Sequence, residues 1–77
     1  MNSAAITVKL FGPLREKHQS DQILTISEKE TIKTAIAKLS IEEHPAYLYS
    51  VNGRHAKALT QLHAGDVLMI IPPISGG

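Results

Sequence analysis

The residues with the most open chemistry are the last six, Pro72-Pro73-Ile74-Ser75-Gly76-Gly77. Paired prolines have fixed φ and no backbone donor, so they end a strand ladder and hold the chain stiffly extended. The residues beyond them, Ile74 to Gly77, reach roughly 14 Å when fully extended, enough to enter another protein's buried site. Lacking a Cβ, Gly76 and Gly77 let the backbone pass a narrow channel and leave the last carbonyl open from either side. The α-carboxylate of Gly77 is thus the least cluttered reactive group in the sequence. Being anionic at neutral pH, it is a poor electrophile; joined to AMP it gains a leaving group, and a sulfur donor can attack its carbonyl. The product, a thiocarboxylate, is a soft nucleophile on a tether. By itself a diglycine ending also fits a frayed tail or a cloning remnant, because termini ordinarily pack against little.

Composition narrows the field around that ending. With 77 residues there is room for one domain, 1–77, and one small core, with 72–77 as an extended tail. Cysteine is absent, which removes disulfides, thiolate metal sites and cysteine nucleophiles. Any sulfur the protein carries must therefore sit elsewhere than on a side-chain thiol. The net charge is +1 with acids and bases interspersed, so neither nucleic acid nor membrane is expected as a partner. The opening "MNSAAITVKL" lacks a basic start and an uninterrupted apolar run, and no segment approaches membrane-spanning length. A soluble, cytoplasmic protein without a signal peptide is the expectation. His18, His44, His55 and His63 show no i, i+3 or i, i+4 pairing, so no metal site is expected.

The elements that must carry the tail are written in the periodicity. Ala5 to Phe11 alternates, Ile6, Val8 and Leu10 on one face and Thr7, Lys9 and Phe11 on the other, and reads as a half-buried strand. Gly12-Pro13 breaks it, and a loop or short turn of helix follows. Gln22 to Ser27 is β-branched and aliphatic, a second strand hairpinned to the first, with Leu24 and Ile26 sharing the core. The period then changes: Ile32, Ala35, Ile36 and Leu39 form one helical stripe, with Lys33, Thr34 and Lys38 facing away. Thr31 is the expected N-cap, Glu28 and Glu30 lie near the positive dipole end, and the helix should stop before Pro45. Asn52-Gly53 sits between two extended runs as a hairpin turn. Gly65-Asp66 makes another turn, and Val67 to Ile71 is a near-continuous aliphatic strand of the kind found at a sheet's centre. Strand, strand, helix, strand, short strand, strand implies an α+β layer, and that order with the final strand beside the first is the β-grasp arrangement.

"VKLFGPLREK", "VNGR", "GDVLMIIPP" and the final "SGG" together resemble the small subunit of molybdopterin synthase, the MoaD group within the MoaD/ThiS ubiquitin-like sulfur carriers. The resemblance spans Ile6 to Gly77, in family order and spacing. It implies a non-catalytic carrier whose Gly77 is adenylated by a ubiquitin-activating-type enzyme with ATP and converted to the thiocarboxylate. The acyl-AMP and thiocarboxylate would be covalent intermediates, with no tightly bound cofactor. It further implies insertion of the tail into the large, catalytic synthase subunit, where sulfur passes to a pyranopterin precursor to build the dithiolene. The alternatives are a ThiS-like carrier for thiamine or tRNA thiolation, and a ubiquitin-like modifier joined through Gly77 to a target lysine.

Strand parity places Phe11, Met69 and Ile71 on the helix-free sheet face, an apolar patch that the family uses to dock both partners. Arg15, Glu16 and Arg54 read as loop-anchoring or solvated charges. Tyr47 and Tyr49, alternating on one strand face, read as packing residues. Three features depart from the family: Ile70-Ile71 stands where aromatics are usual before the proline pair; the chain is slightly basic where such carriers are commonly acidic, which weakens or reverses steering toward partners; and it is short through "LSIEEHPAYLYS", around the helix end.

Overall fold

A computed structural model of the chain, describing residues 4–19 and 21–73, turns the first alternation into strand β1 (Ala4–Leu10). Ile6, Val8 and Leu10 are buried; Thr7 and Lys9, on the other face, are half-buried. The strand stops one residue before Phe11. Gly12 takes φ +59° and ψ −138°, a conformation outside the pleat, and Pro13 then opens a short helix, α1 (Pro13–Lys17), that buries Leu14. Strand β2 (Gln22–Ile26) returns antiparallel with Leu24 opposite Ile6. Ile26 is buried, Leu24 stays at the core margin, and Ser27 lies past the strand's end.

Helix α2 (Ile32–Lys38) begins at the expected cap. The Thr31 hydroxyl accepts the Thr34 N–H at 3.3 Å and the Thr34 hydroxyl accepts the Thr31 N–H at 3.0 Å, a capping box with threonine on both sides. Two more first-turn donors are met from far along the chain: Ile32 N–H donates to the Thr60 carbonyl at 3.1 Å and Lys33 N–H to that of Ala58 at 2.8 Å. The helix ends well before Pro45. Ser40 adopts φ +61° and donates to the Ala37 carbonyl, while Ile41 N–H reaches back to Ile36 at 3.0 Å, so the last turn closes on itself. Glu30 does not simply lie near the dipole end. It is buried, accepts the Ser27 N–H at 3.0 Å and pairs with Lys38 Nζ at 2.6 Å, so Lys38 folds back over the helix start. Burial pushes the Glu30 carboxyl up, but the bonds from Lys38, Thr34 and Ser27 outweigh it and hold the carboxyl at about 2.

Strands β3 (Leu48–Val51) and β4 (Arg54–Ala56) form a hairpin through Asn52 and Gly53, at φ +54° and +84°, as a type I′ turn requires. Strand β5 (Val67–Ile71) follows the Gly65 turn. The sheet order is β2-β1-β5-β3-β4; β1 and β5 run parallel and the other neighbours antiparallel. Ile32, Ala35 and Ile36 of α2 join Ile6, Val8, Leu10, Leu68 and Ile70 in one core. This is a β-grasp fold of α+β class, with α2 as the main helix and α1 as a single extra turn. Truncating one of these fully buried aliphatics to alanine removes about 2 to 5 kcal/mol, a large part of what a small domain has.

Candidate functional site: the tail exit and the open sheet face

The strand that leads into the tail is fastened on both sides. Along β1 the register runs from Thr7 opposite Val67 to Leu10 opposite Ile70, and on the other side Leu48 faces Ile71 and Ser50 faces Met69. Its start is fixed by a polar clip. Asn52 Oδ1 accepts the Val67 N–H at 2.9 Å, Asn52 Nδ2 donates to Asp66 Oδ1 at 2.9 Å, and Asp66 Oδ2 accepts the His63 N–H at 2.8 Å. Thr7 N–H donates to the Asp66 carbonyl and Gly65 N–H to that of Ala5, both at 2.9 Å. Asp66 is buried by this arrangement, which accounts for a charged group at the base of a central strand.

Because β1 and β5 are parallel, both end at the same pole. Pro72 is half-buried and Pro73 exposed. A methyl group built on Gly12 would lie 3.3 Å from Pro72 Cγ, so the glycine that ends β1 sits directly against the proline that ends β5. The two sequence breaks meet in space. Ile74, Ser75, Gly76 and Gly77, expected as the rest of the tail and its reactive end, lie outside the described residues. Glycine and proline do no proton chemistry; what this pole supplies is direction.

Leu68 and Ile70 are buried under α2, so Met69 and Ile71 lie on the sheet face the helix leaves open, where both are half-buried. Phe11 is exposed, at 38 %, but it belongs to the loop after β1 and not to the strand on which parity placed it. Leu48, which the sequence reading did not single out, extends the apolar strip: it is 53 % exposed and directly opposite Ile71. Its signal was available in the alternation with Tyr49, whose burial turns Leu48 outward. Tyr49 is in the core, whereas Tyr47 precedes β3, is half-buried and stacks on His44 at 5.3 Å between ring centroids. The two tyrosines therefore do not share one strand face. Arg15, Glu16 and Arg54 are exposed.

Among the described residues no three His, Asp or Glu side chains gather as a metal site, and no helix is long and apolar enough to cross a membrane. Surface grooves of about 520 and 600 Å³ lie beside Ala4, Ile26 and Leu62 and beside Arg54, His55 and Asp66. Neither is lined by Pro72, Met69 or Ile71.

A family model described as the ThiS family matches residues 8–77. No curated protein matches the chain. Among solved structures, SAMP1 from Haloferax volcanii superposes with a TM-score of 0.79 at 24 % identity, over 96 % of this chain and 100 % of that one. A putative molybdopterin converting factor subunit 1 from Pyrococcus furiosus gives 0.75 at 21 % identity, over 92 % and 99 %. One chain of the complex of subunits 1 and 2 of the molybdopterin-converting factor from Helicobacter pylori gives 0.58 at 24 % identity, over 95 % and 99 %. At these identities the structures speak for the β-grasp fold alone. The family model, by contrast, runs from Val8 in one central strand through the proline-ended partner strand to Gly77, and on that match the chain belongs to the ThiS family, the ubiquitin-like sulfur-carrier group.

Proposed function

We propose that this protein is the sulfur-donating small subunit of a molybdopterin synthase, working through the α-carboxylate of Gly77. The observation that carries the reading is the central strand β5, paired on both sides and ended by Pro72-Pro73, from which the family match continues to Gly77. A carboxylate oxygen of Gly77 attacks the α-phosphorus of ATP in an adenylating enzyme and pyrophosphate leaves. A hydrosulfide equivalent then attacks the acyl carbon and AMP leaves, so that a C–S bond replaces the C–O bond and the thiocarboxylate results. The chain supplies a rigid base and a narrow tether; the acids and bases belong to its partners. Docking uses the open sheet face around Met69 and Ile71, with Leu48 and Phe11 at its margins. The Helicobacter pylori complex of subunits 1 and 2 supports a second, large subunit as the docking partner, within which the sulfur passes to the pyranopterin.

The test is intact mass after incubation with the cognate adenylating enzyme, ATP and a sulfur donor. The expected gain equals exchange of one oxygen for sulfur, and an unchanged mass with an active enzyme overturns the reading.

A second reading is favoured by the likeness to SAMP1, which is a small archaeal modifier protein. There Gly77 would end in an isopeptide bond to a target lysine. Pull-down under denaturing conditions separates the two: a modifier leaves covalent adducts of higher mass, whereas a carrier is recovered alone. Transfer of the sulfur to a thiamine precursor or to tRNA, in place of the pyranopterin, is read by offering each acceptor to the thiocarboxylated protein.

A further inference from the structure

The Gly12-Pro13 break takes no part in the core or in the chemistry proposed for Gly77. Three described glycines have positive φ, Gly12, Gly53 and Gly65, at +59°, +84° and +82°. A side chain at Gly53 or Gly65 would meet nothing within 4 Å, so each serves only the backbone of a surface turn. Gly12 differs. A methyl group there would lie 3.3 Å from Pro72 Cγ and 4.0 Å from Cδ. Its ψ of −138° with φ +59° is also a region essentially confined to glycine.

The neighbour it would strike cannot rotate away. The Pro72 ring is closed onto its own backbone nitrogen, so moving Cγ by a few tenths of an ångström moves the chain itself. A shift at Pro72 changes the point and the direction from which the chain leaves the sheet. Misplacement of a reacting group by about 1 Å can lower a rate by about a hundredfold.

We propose that Gly12 is a positioning residue for the tail: by leaving empty the space that the Pro72 ring fills, it sets the direction in which the chain leaves the sheet. The parallel pairing of β1 with β5 makes this arrangement available, since it brings both strand ends to one pole. The proposal rests on the reading of Gly77 as the working end. It adds to that reading a residue far upstream of the exit in sequence, which acts only through Pro72.

The test is a double-mutant cycle on adenylation, followed as pyrophosphate release with the cognate adenylating enzyme and ATP. Gly12→Ala should lower kcat/KM about tenfold in the presence of Pro72 and by only about threefold in a Pro72→Ala background, because without the ring only the backbone strain of a side chain at φ +59° remains. Docking should be untouched: without ATP, the full-length Gly12→Ala protein should bind the enzyme with the affinity of the full-length wild type, an outcome a general loss of structure would not give. Equal losses in both backgrounds, or no loss in a folded Gly12→Ala protein, overturn the proposal. Should Gly12→Ala fail to fold, the wild type decides: NOEs between the Gly12 Hα and Pro72 Hγ protons are expected, and their absence overturns it. If the wild type is not adenylated at all, the reading of Gly77 falls instead. The contact NOEs, with residual dipolar couplings along 73–77 compared between wild type and Gly12→Ala, then decide Gly12 alone; unchanged couplings overturn it.

Discussion

Asn52 donates from its side-chain amide to Asp66 Oδ1 at 2.9 Å, and its amide oxygen accepts the Val67 N–H at the same distance. One residue thereby closes the β3–β4 turn and fastens the start of the tail-bearing strand. Its two duties separate by substitution. Asn52→Gly keeps φ +54° at no steric cost and loses only the side-chain bonds, for about 1 to 2 kcal/mol. Asn52→Ala adds about 1 kcal/mol of left-handed strain. Urea unfolding midpoints should therefore fall in the order wild type, Asn52→Gly, Asn52→Ala; a glycine variant as weak as the alanine one would show that the bonds alone matter.

Stability should depend on acid through Glu30. Its carboxyl is held at about 2 in the folded protein against an ordinary value of 4.5, so the unfolded chain binds the proton more readily. The contribution is complete above the unfolded value and is lost as pH falls toward the folded one. A shift of this size corresponds to about 3 kcal/mol. The stability difference between wild type and Glu30→Gln should be largest at neutral pH and shrink between 4.5 and about 2. A difference constant across that window would mean that Lys38 does not hold the charged form.

Tyr49 is buried, and its hydroxyl has no hydrogen-bond partner among the described residues. Burial, with smaller contributions from Glu43 and Tyr47, pushes its pKa up. Tyr49→Phe should leave stability unchanged or raise it by about 1 kcal/mol, because an unmatched polar group is removed from the core. Thermal unfolding of the two proteins decides it, and a clear loss would reveal a partner for the hydroxyl.

Charge placed on the open face at Leu48, or at its margin at Phe11, should separate binding from folding. Leu48→Asp and Phe11→Asp change exposed side chains, so the unfolding free energy should move by no more than about 0.5 kcal/mol. An unpaired charge buried at an interface costs about 2 to 5 kcal/mol, and affinity for the large subunit should fall by at least tenfold in calorimetry. Wild-type affinity in both variants would remove this face from the docking site.

Deleting Gly77 should do the reverse. Adenylation should be abolished while affinity for the large subunit stays near that of the wild type, since the sheet face is intact. Normal charging of the shortened chain with AMP would show that the reactive end lies elsewhere.

The elements were legible because their signals are local. Alternation in Ile6, Val8 and Leu10, the Ile32, Ala35, Ile36 stripe with its Thr31 cap, and Asn52-Gly53 each depend on neighbours a few positions away, and each forms as read. What escaped depends on distant chain. The bonds from Ile32 and Lys33 to the 58–60 loop, the burial of Glu30 under Lys38, and Asp66 held by Asn52 are pairings no periodicity encodes. The helix end was bounded only loosely for a related reason: proline marks where a helix cannot continue, but Ser40 in a left-handed turn stops it sooner. Of the candidate site, the open-face positions Met69 and Ile71 were read correctly from parity. Phe11 was not, because the conformation of Gly12 takes it off the strand.

The parallel pairing of Ala4–Leu10 with Val67–Ile71 also governs when the domain can exist during synthesis. The sheet has no centre until β5 has left the ribosome, and until then β1 carries an open, apolar edge. Contacts between segments so far apart in sequence form late and slowly. A nascent chain interrupted anywhere before Ile71 would lack the strand that joins the two halves of the sheet, so β1 and β3 could not be brought into one layer. The order of the strands thus makes folding of this domain an event of the completed chain.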